Sequence, residues 1–288
     1  MHLQLPENGA ISALGDVPRT LLIPLAARAQ GAALVPALDP QDRCAAEVLA
    51  RSGVQVQDIG GDMATVVNIL WRTRLIKQSA QAFFARHPQA CGVNLGAGLA
   101  HYFQWLDNGC NHWFDADLPD VLALRRRWLH PHGRKTGKDP RWGELALDLR
   151  DPRGLLTLRK CLQARSGPWL LVIEGVLMYL QPTQVRAVLR TLADVAPEGS
   201  ELLCDFISPL GIGQAGLNPS LDCTAAQFQW GAHNGHEIAD VHPRLELLAQ
   251  HSVAEAYGWG ASLLDFCSQS WTGGPLYAMA HLRVGEPD

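Results

Sequence analysis

The sequence predicts an α/β protein: a doubly wound, mostly parallel, seven-stranded Rossmann-like sheet with an N-terminal helical segment and a lid insertion after the fifth strand. Three observations carry this prediction. Between residues 91 and 207, apolar runs alternate with helix-like segments over short connections, which is the rhythm of a parallel sheet. The stretch Gly92-Val93-Asn94-Leu95-Gly96-Ala97-Gly98-Leu99 passes from a buried run into a glycine turn, where backbone can approach a ligand closely. Asp117, Asp148 and Glu174 each close an apolar run, so they fall together on the sheet edge where ligands bind.

Each element has its own signal. Thr20 to Arg28 is helix-like, with Pro24 kinking or starting the helix. Leu38-Asp39-Pro40-Gln41-Asp42 caps a helix running through Cys44 to Arg51. Val66 to Arg86 repeats apolar residues at helical spacing, with Arg72, Arg74 and Lys77 among them. Strand 91–95 leads through the glycine turn into a helix ending near Leu106. Strand 112–117 precedes a helix over 119–129, with Pro119 in its first turn. A basic loop spans His130 to Arg141. Strand 144–147 and helix 152–164 follow, then strand 168–173, whose unbroken apolar character marks a central position. Helix 182–195 leads to strand 200–207. The rhythm then breaks. Ser208 to Pro219 is rich in Gly and Pro, Leu221 to Trp230 reads as helical, and Gly231 to His242 is polar. A helix over 243–251 and strands near 253–257 and 275–284 complete the expected sheet.

Bulk properties narrow the function. The 288 residues carry a net charge of -4, so no broad basic field is available for nucleic acid. No apolar run approaches the ~20 residues that span a bilayer, and the N-terminus lacks a basic segment followed by an apolar core. The seven cysteines are odd in number and form no Cys-x-x-Cys, which reads as reduced, mostly buried thiols in a cytoplasmic protein. The partners expected are a small-molecule substrate and, at most, a second copy in a homodimer, with no nucleic acid and no membrane.

The acids give the glycine turn its meaning. Asp117 lies nineteen positions after Gly98, where a carboxylate accepts from the ribose hydroxyls of a bound nucleoside. Nicotinamide and S-adenosylmethionine folds both use this device. The nicotinamide fingerprint asks for a small residue at position 101, where this chain has His101. A sulfonium cofactor has no phosphate to be held, so two glycines suffice. Asp148 suits an adenine amino group, with Leu149 packing on the ring. Asp117 also suits capping the next helix, and Asp148 suits pairing with Arg150.

These residues bring the chain to a family. Thr20-Leu21-Leu22-Ile23-Pro24-Leu25 with Ala27-Arg28-Ala29, Trp71-Arg72-Thr73-Arg74, Val93 to Leu99, Trp113 to Val121, Leu147-Asp148-Leu149-Arg150-Asp151 and Glu174-Gly175-Val176-Leu177-Met178-Tyr179-Leu180 carry the likeness. Over nearly its whole length the chain resembles the leucine carboxyl methyltransferase family, and within it the bacterial, polyketide-type branch of tetracenomycin-like carboxyl O-methyltransferases. The resemblance implies a class I S-adenosylmethionine-dependent methyltransferase. By it, Arg72 grips the methionine carboxylate, with Arg28 assisting, and Gly96, Ala97 and Gly98 pass beside the methionine. Asp117 holds the ribose, Asp148 and Leu149 flank the adenine, and Glu174 faces the methionine ammonium. The expected division is a helical cap (1–90), a cofactor-binding core (91–207), a substrate lid (208–252) and final strands (253–288). The chain departs from the family after the glycines. Asp-Thr and a nearby arginine are usual there, and this chain has Ala100-His101-Tyr102-Phe103-Gln104-Trp105; it also has Lys77 where an acid is usual.

The expected reaction is S-adenosylmethionine-dependent O-methylation of a carboxylate on a small, polyketide-like natural product. A carboxylate is ionised at pH 7 and needs no base, whereas a phenol with a pKa of about 10 benefits from one. Tyr179, just past Glu174, is the candidate catalytic side chain. His233 and His236 would be the bases toward a phenol, and Trp230, Trp259 and Trp271 are candidate walls of an aromatic pocket. No metal is expected. Three alternatives stand beside this reading: a phenol O-methyltransferase, a nicotinamide-dependent reductase, and a cofactor-binding protein that transfers no methyl group.

Overall fold

A computed structural model describes residues 19–52, 62–129, 141–163, 167–213 and 227–286. Seven strands form one sheet in the order β3-β2-β1-β4-β5-β7-β6. They are β1 (Cys91–Leu95), β2 (His112–Asp117), β3 (Trp142–Ala146), β4 (Trp169–Ile173), β5 (Glu201–Ile207), β6 (Leu245–Ser252) and β7 (Tyr277–Val284). The first five pair in parallel, and β7 runs antiparallel between β5 and β6. The main helices are α1 (Arg19–Ala29), α2 (Arg43–Ser52), α3 (Met63–Arg86), α4 (Pro119–Leu129), α5 (Pro152–Gln163), α6 (Pro182–Val195) and α7 (Trp259–Thr272).

Helices cover both faces of the sheet, so the central strands are apolar on both sides. All five residues of β4 are buried. On one face Leu158, Val185, Leu189 and Leu192 pack against β4 and β5. On the other, Ile76, Ala80, Phe83 and Phe84 of α3 pack against Trp113, Leu170 and Val172. Local chemistry sets the helix ends. Asp42 accepts from the Ala45 N–H at 2.9 Å and caps α2, as its sequence signal predicts. Asp62 does the same for α3 through Thr65. Gln181 and Gln184 form a reciprocal capping box ahead of α6, with Pro182 in the first turn.

A buried polar post fixes the β2–β3 side. Arg125 on α4 is fully buried and pairs with buried Asp115 on β2 at 2.5 Å. It also donates to the Gly98 and Ala100 carbonyls at 2.6 Å each, so it ties α4 to the turn after β1. Trp113 and Trp142 donate to the same carboxylate at 2.9 and 3.0 Å. Burial alone would raise the Asp115 pKa. The Arg125 charge, with the Trp113 hydrogen bond and the nearby His101, overrides this and pulls it down to about 2.

Five expectations are corrected. The helix expected to follow the glycine turn is a single turn, Phe103–Leu106. Residues 243–251, read as a helix, form β6 instead. Leu, Glu, Ala and Gln favour a helix here, but Leu245 and Leu247 sit two apart, and pairing with β7 buries them on one face. A register shift between Leu247 and Ala249 leaves Leu248 exposed. Residues 253–257, read as a strand, form a 3-10 turn whose Ala254 N–H is capped by Ser252 Oγ at 3.2 Å. Helix α7 went unpredicted because its apolar face is not turned to the core. Cysteines are also less buried than expected: Cys91 and Cys204 are buried, but Cys110 and Cys267 are exposed. The 130–140 part of the basic loop, Cys223 and most of the stretch read as helical over 221–230 lie outside the described residues. Residues 227–230 are not helical.

Replacing Asp115 by Asn leaves the Arg125 charge without its partner, and urea unfolding should show a loss of about 3–5 kcal/mol. An unfolded aspartate titrates near ~3.9, above the folded value. The Asp115 contribution is therefore complete above that pH and lost as pH falls toward 2, and this acid limb should flatten in Asp115→Asn.

Candidate active site

The strand order reverses its direction of growth between β1 and β4, and a cavity of about 430 Å³ opens beyond their carboxyl ends. Its wall includes Arg28, Arg72, Gly96, Ala97, Gly98, Asp117, Asp148, Leu149, Glu174 and Tyr179. The structure thus brings every sequence-predicted site residue to one cavity.

The glycine turn is shaped by its neighbours. Gly96 has φ +76°, and a Cβ there would lie 2.4 Å from Val176 Cγ2. Gly98 has φ +50°, and its N–H donates to Asp117 Oδ2 at 2.7 Å. Asp117 Oδ1 accepts from the Leu118 N–H at 2.7 Å. This acid therefore holds the turn and faces the cavity at once. Burial raises its pKa, opposed by the two backbone N–H groups. Asp148 is the half-open acid of the set. Arg150 binds it through Nε at 2.9 Å and Nη2 at 2.7 Å, and these hydrogen bonds hold its carboxyl below the ordinary range. The expected pairing with Arg150 and a place in the cavity wall are both realised.

Arg72 organises the far end. Its Nε donates to Glu174 at 2.8 Å, and its Nη1 donates to Asp205 at 3.1 Å and to the Tyr277 hydroxyl at 2.9 Å. Its Nη2 bonds to no acceptor among the described residues and lies at the cavity wall. Burial penalises the charge, but Tyr277, Glu174 and Asp205 around it more than compensate, and its pKa is raised. Glu174 Oε2 accepts from the Tyr102 hydroxyl at 2.6 Å. Burial would raise Glu174, yet Arg72, Arg28 and Tyr102 hold it below the ordinary carboxylate range, so it is ionised. Asp205 is fully buried, accepts from the Gly175 N–H at 2.7 Å, and is raised by burial.

Arg28 lines the cavity and also has a second role. Its Nε pairs with Asp42 at 2.8 Å, both side chains being buried, and its Nη2 donates to the Leu99 carbonyl at 3.1 Å. It acts as a brace between α1, α2 and the glycine turn. Gln104 supports the brace by donating to Asp42 at 2.8 Å.

Asp205, Tyr277, Tyr102 and Gln104 were missed as site residues. The signal for Asp205 was present: an acid inside the buried run Leu202 to Ile207 demands a partner. The others are revealed only by tertiary contacts. Of the candidate walls, Trp259 and Trp271 are 84% and 92% exposed and line nothing, whereas Trp230 packs against the core. His233 and His236 are exposed and do not line the cavity. Among the described residues, no cluster of His, Cys, Asp and Glu could hold a metal ion.

The sequence model of the leucine carboxyl methyltransferase family matches residues 24–193. The chain belongs to the leucine carboxyl methyltransferase family. It is 28% identical over 244 residues to the tetracenomycin polyketide synthesis O-methyltransferase TcmP of Streptomyces glaucescens, covering 84% of each chain. It is 26% identical over 281 residues to the S-adenosyl-L-methionine-dependent methyltransferase dpfgK of Gibberella zeae, covering 90% of this chain and 91% of that one. The fold is shared with a candidate methyltransferase from Thermobifida fusca YX, at TM-score 0.56 and 16% identity, covering 90% of this chain and 94% of that one. The same holds for a DUF574 family protein from Streptomyces avermitilis, at TM-score 0.53 and 12% identity, covering 90% and 96%.

The enzyme is therefore a methyltransferase with S-adenosylmethionine as donor, and the cavity's donor set fits that group. By their charges, Arg72 would hold the donor's carboxylate, ionised Glu174 its ammonium and Asp117 its ribose. The turn at Gly96 has no room for a side chain. Asp117→Ala removes the proposed ribose acceptor and the Gly98 anchor together. Calorimetry should show S-adenosylhomocysteine binding about 10–100-fold weaker, the equivalent of 1.5–3 kcal/mol, with the circular dichroism spectrum unchanged.

Proposed function

We propose that this enzyme methylates a carboxylate oxygen of a small, polyketide-like natural product. The observation that carries this is the chemistry at the Tyr179 end of the cavity. Val176, Met178 and Leu180, neighbours of Tyr179 in the chain, line the wall with it and are apolar. Among the described residues no histidine, lysine or cysteine lines the cavity, and Glu174 is already committed to Arg72 and Tyr102. An acceptor that needs deprotonating would find no ready base. A carboxylate needs none.

The donor supplies a methyl group on a sulfonium, which departs as a thioether when an oxygen lone pair attacks in line. The protein's own part is to align and to exclude water. Tyr179 is the proposed catalytic side chain. Its hydroxyl has no hydrogen-bond partner among the described residues, and burial pushes its pKa up to about 12, so it stays a donor at neutral pH. A neutral donor steadies one acceptor oxygen without competing for the methyl group. Residues 208–252 are proposed as the substrate lid, of which 245–252 belong to β6. The described part supports this: Phe228 packs on the Tyr179 ring at 5.5 Å, and the Gln229 N–H donates to the Met178 carbonyl at 2.8 Å. A cytoplasmic location is proposed from the cysteine usage. Among the described residues, no helix is long and apolar enough to cross a membrane.

A pH profile separates carboxylate from phenol. With a carboxylate acceptor, kcat/KM should be flat from pH 6 to 9. A phenol acceptor would make it rise roughly tenfold per pH unit toward its pKa of about 10. Tyr179→Phe should lower kcat/KM about 10–100-fold, as expected for one hydrogen bond to a charged group, with the S-adenosylhomocysteine affinity unchanged. Equal activity in the variant would remove Tyr179 from the chemistry.

A further inference from the structure

Helix α7 is amphipathic in the wrong direction for a surface helix. Such helices turn apolar side chains to the core and polar ones to water. On α7 the large apolar residues are the exposed ones: Trp259 is 84% exposed, Leu263 54%, Leu264 72%, Phe266 74% and Trp271 92%. At 100° per residue, these five and exposed Cys267 fall within an arc of about 160° on the helix surface. The opposite side carries Ser262, Asp265 and Gln269, each partly buried, and Gln269 donates to Asp265 at 2.9 Å. The helix has turned its polar side inward and its apolar side out. Leu276 and Tyr257, which flank it in the chain, are 61% and 52% exposed.

We infer that α7 is the surface through which two copies of this chain pair. Charge argues for this occupant. Between Tyr257 and Leu276 the only charged residue is Asp265, which lies off the apolar arc. Helices that lie on lipid surfaces carry lysine and arginine on their polar face, and α7 has neither. A highly charged partner would find nothing to pair with. The surface that matches an uncharged apolar stripe is another such stripe, and a two-fold axis supplies one from the same chain. Area argues the same way. Two tryptophans and a phenylalanine bring roughly 150–250 Å² each. Three leucines and Tyr257 raise the patch toward the ~800 Å² per partner of a stable interface. A monomer rarely leaves that much contiguous apolar surface in water. A crossing near Phe266, the middle of the helix, brings the two Cys267 thiols near each other.

Light scattering on the full chain at about 20 μM tests the pairing. The expected result is twice the 31.4 kDa chain mass. The double variant Leu264→Ser with Trp271→Ser should run as a monomer, with pairing weakened at least ~100-fold and S-adenosylhomocysteine titration unchanged. In a Cys110→Ser background, a short bismaleimide should link two wild-type chains, and Cys267→Ser should abolish the product. A monomeric parent protein, a double variant that stays dimeric, or a dimer whose cross-link persists in Cys267→Ser would each overturn the assignment. So would a monomer that floats with neutral phosphatidylcholine vesicles, since α7 would then be a lipid-binding face.

Discussion

The Arg72 guanidinium is the point on which the far end of the cavity depends. It stands on α3, outside the sheet, and reaches Glu174 after β4, Asp205 on β5 and Tyr277 on β7. Withdrawing these charges from water is costly, and removing one partner of such a set is costlier than never having had it. The cluster persists because each group is satisfied more than once: Glu174 also by Tyr102, and Asp205 also by the Gly175 N–H. Two acids around one arginine leave the site short of positive charge. A ligand carboxylate would find only Nη2, while an ammonium would meet ionised Glu174.

The stretch where the chain leaves its family becomes intelligible against this cluster. Tyr102 lies in the stretch where Asp-Thr and a nearby arginine are usual and donates to Glu174, a neutral donor to an acid already paired with Arg72. Gln104 steadies Asp42 and, through it, Arg28. Lys77, where an acid is usual, lies 4.9 Å from the Trp105 ring centre and donates to the Pro40 carbonyl at 3.0 Å. Two kinds of departure meet around a retained ion cluster: neutral Ala100 to Trp105 where an acid and an arginine are usual, and at Lys77 a cation where an acid is usual. Arg125 stabilises the same turn from below, through the Gly98 and Ala100 carbonyls.

The parallel half of the fold was legible because its signals are local. Cys91–Leu95, His112–Asp117, Pro119–Leu129 and Pro182–Val195 follow directly from apolar runs, prolines and caps. That Asp117, Asp148 and Glu174 share one cavity wall was legible for the same reason, since they are acids at strand ends. In the antiparallel half only β7 was legible, from the strand read near 275–284. Residues 243–251 carry helix-favouring side chains and become a strand only because β7 offers an edge. Helix α7 hides from periodicity arguments because its apolar stripe, though present, does not face the core. Asp205, Tyr277 and Tyr102 lie far apart in sequence and meet only around Arg72.

The account rests most heavily on Arg72, and calorimetric titration of Arg72→Lys tests it directly. Lysine keeps the charge but cannot reach Glu174, Asp205 and a ligand carboxylate at once. S-adenosylhomocysteine should bind about 100-fold more weakly to the variant, while adenosine, which carries neither the carboxylate nor the ammonium, should bind as it does to the parent enzyme. Unchanged S-adenosylhomocysteine affinity, or an equal loss for adenosine, would contradict the account.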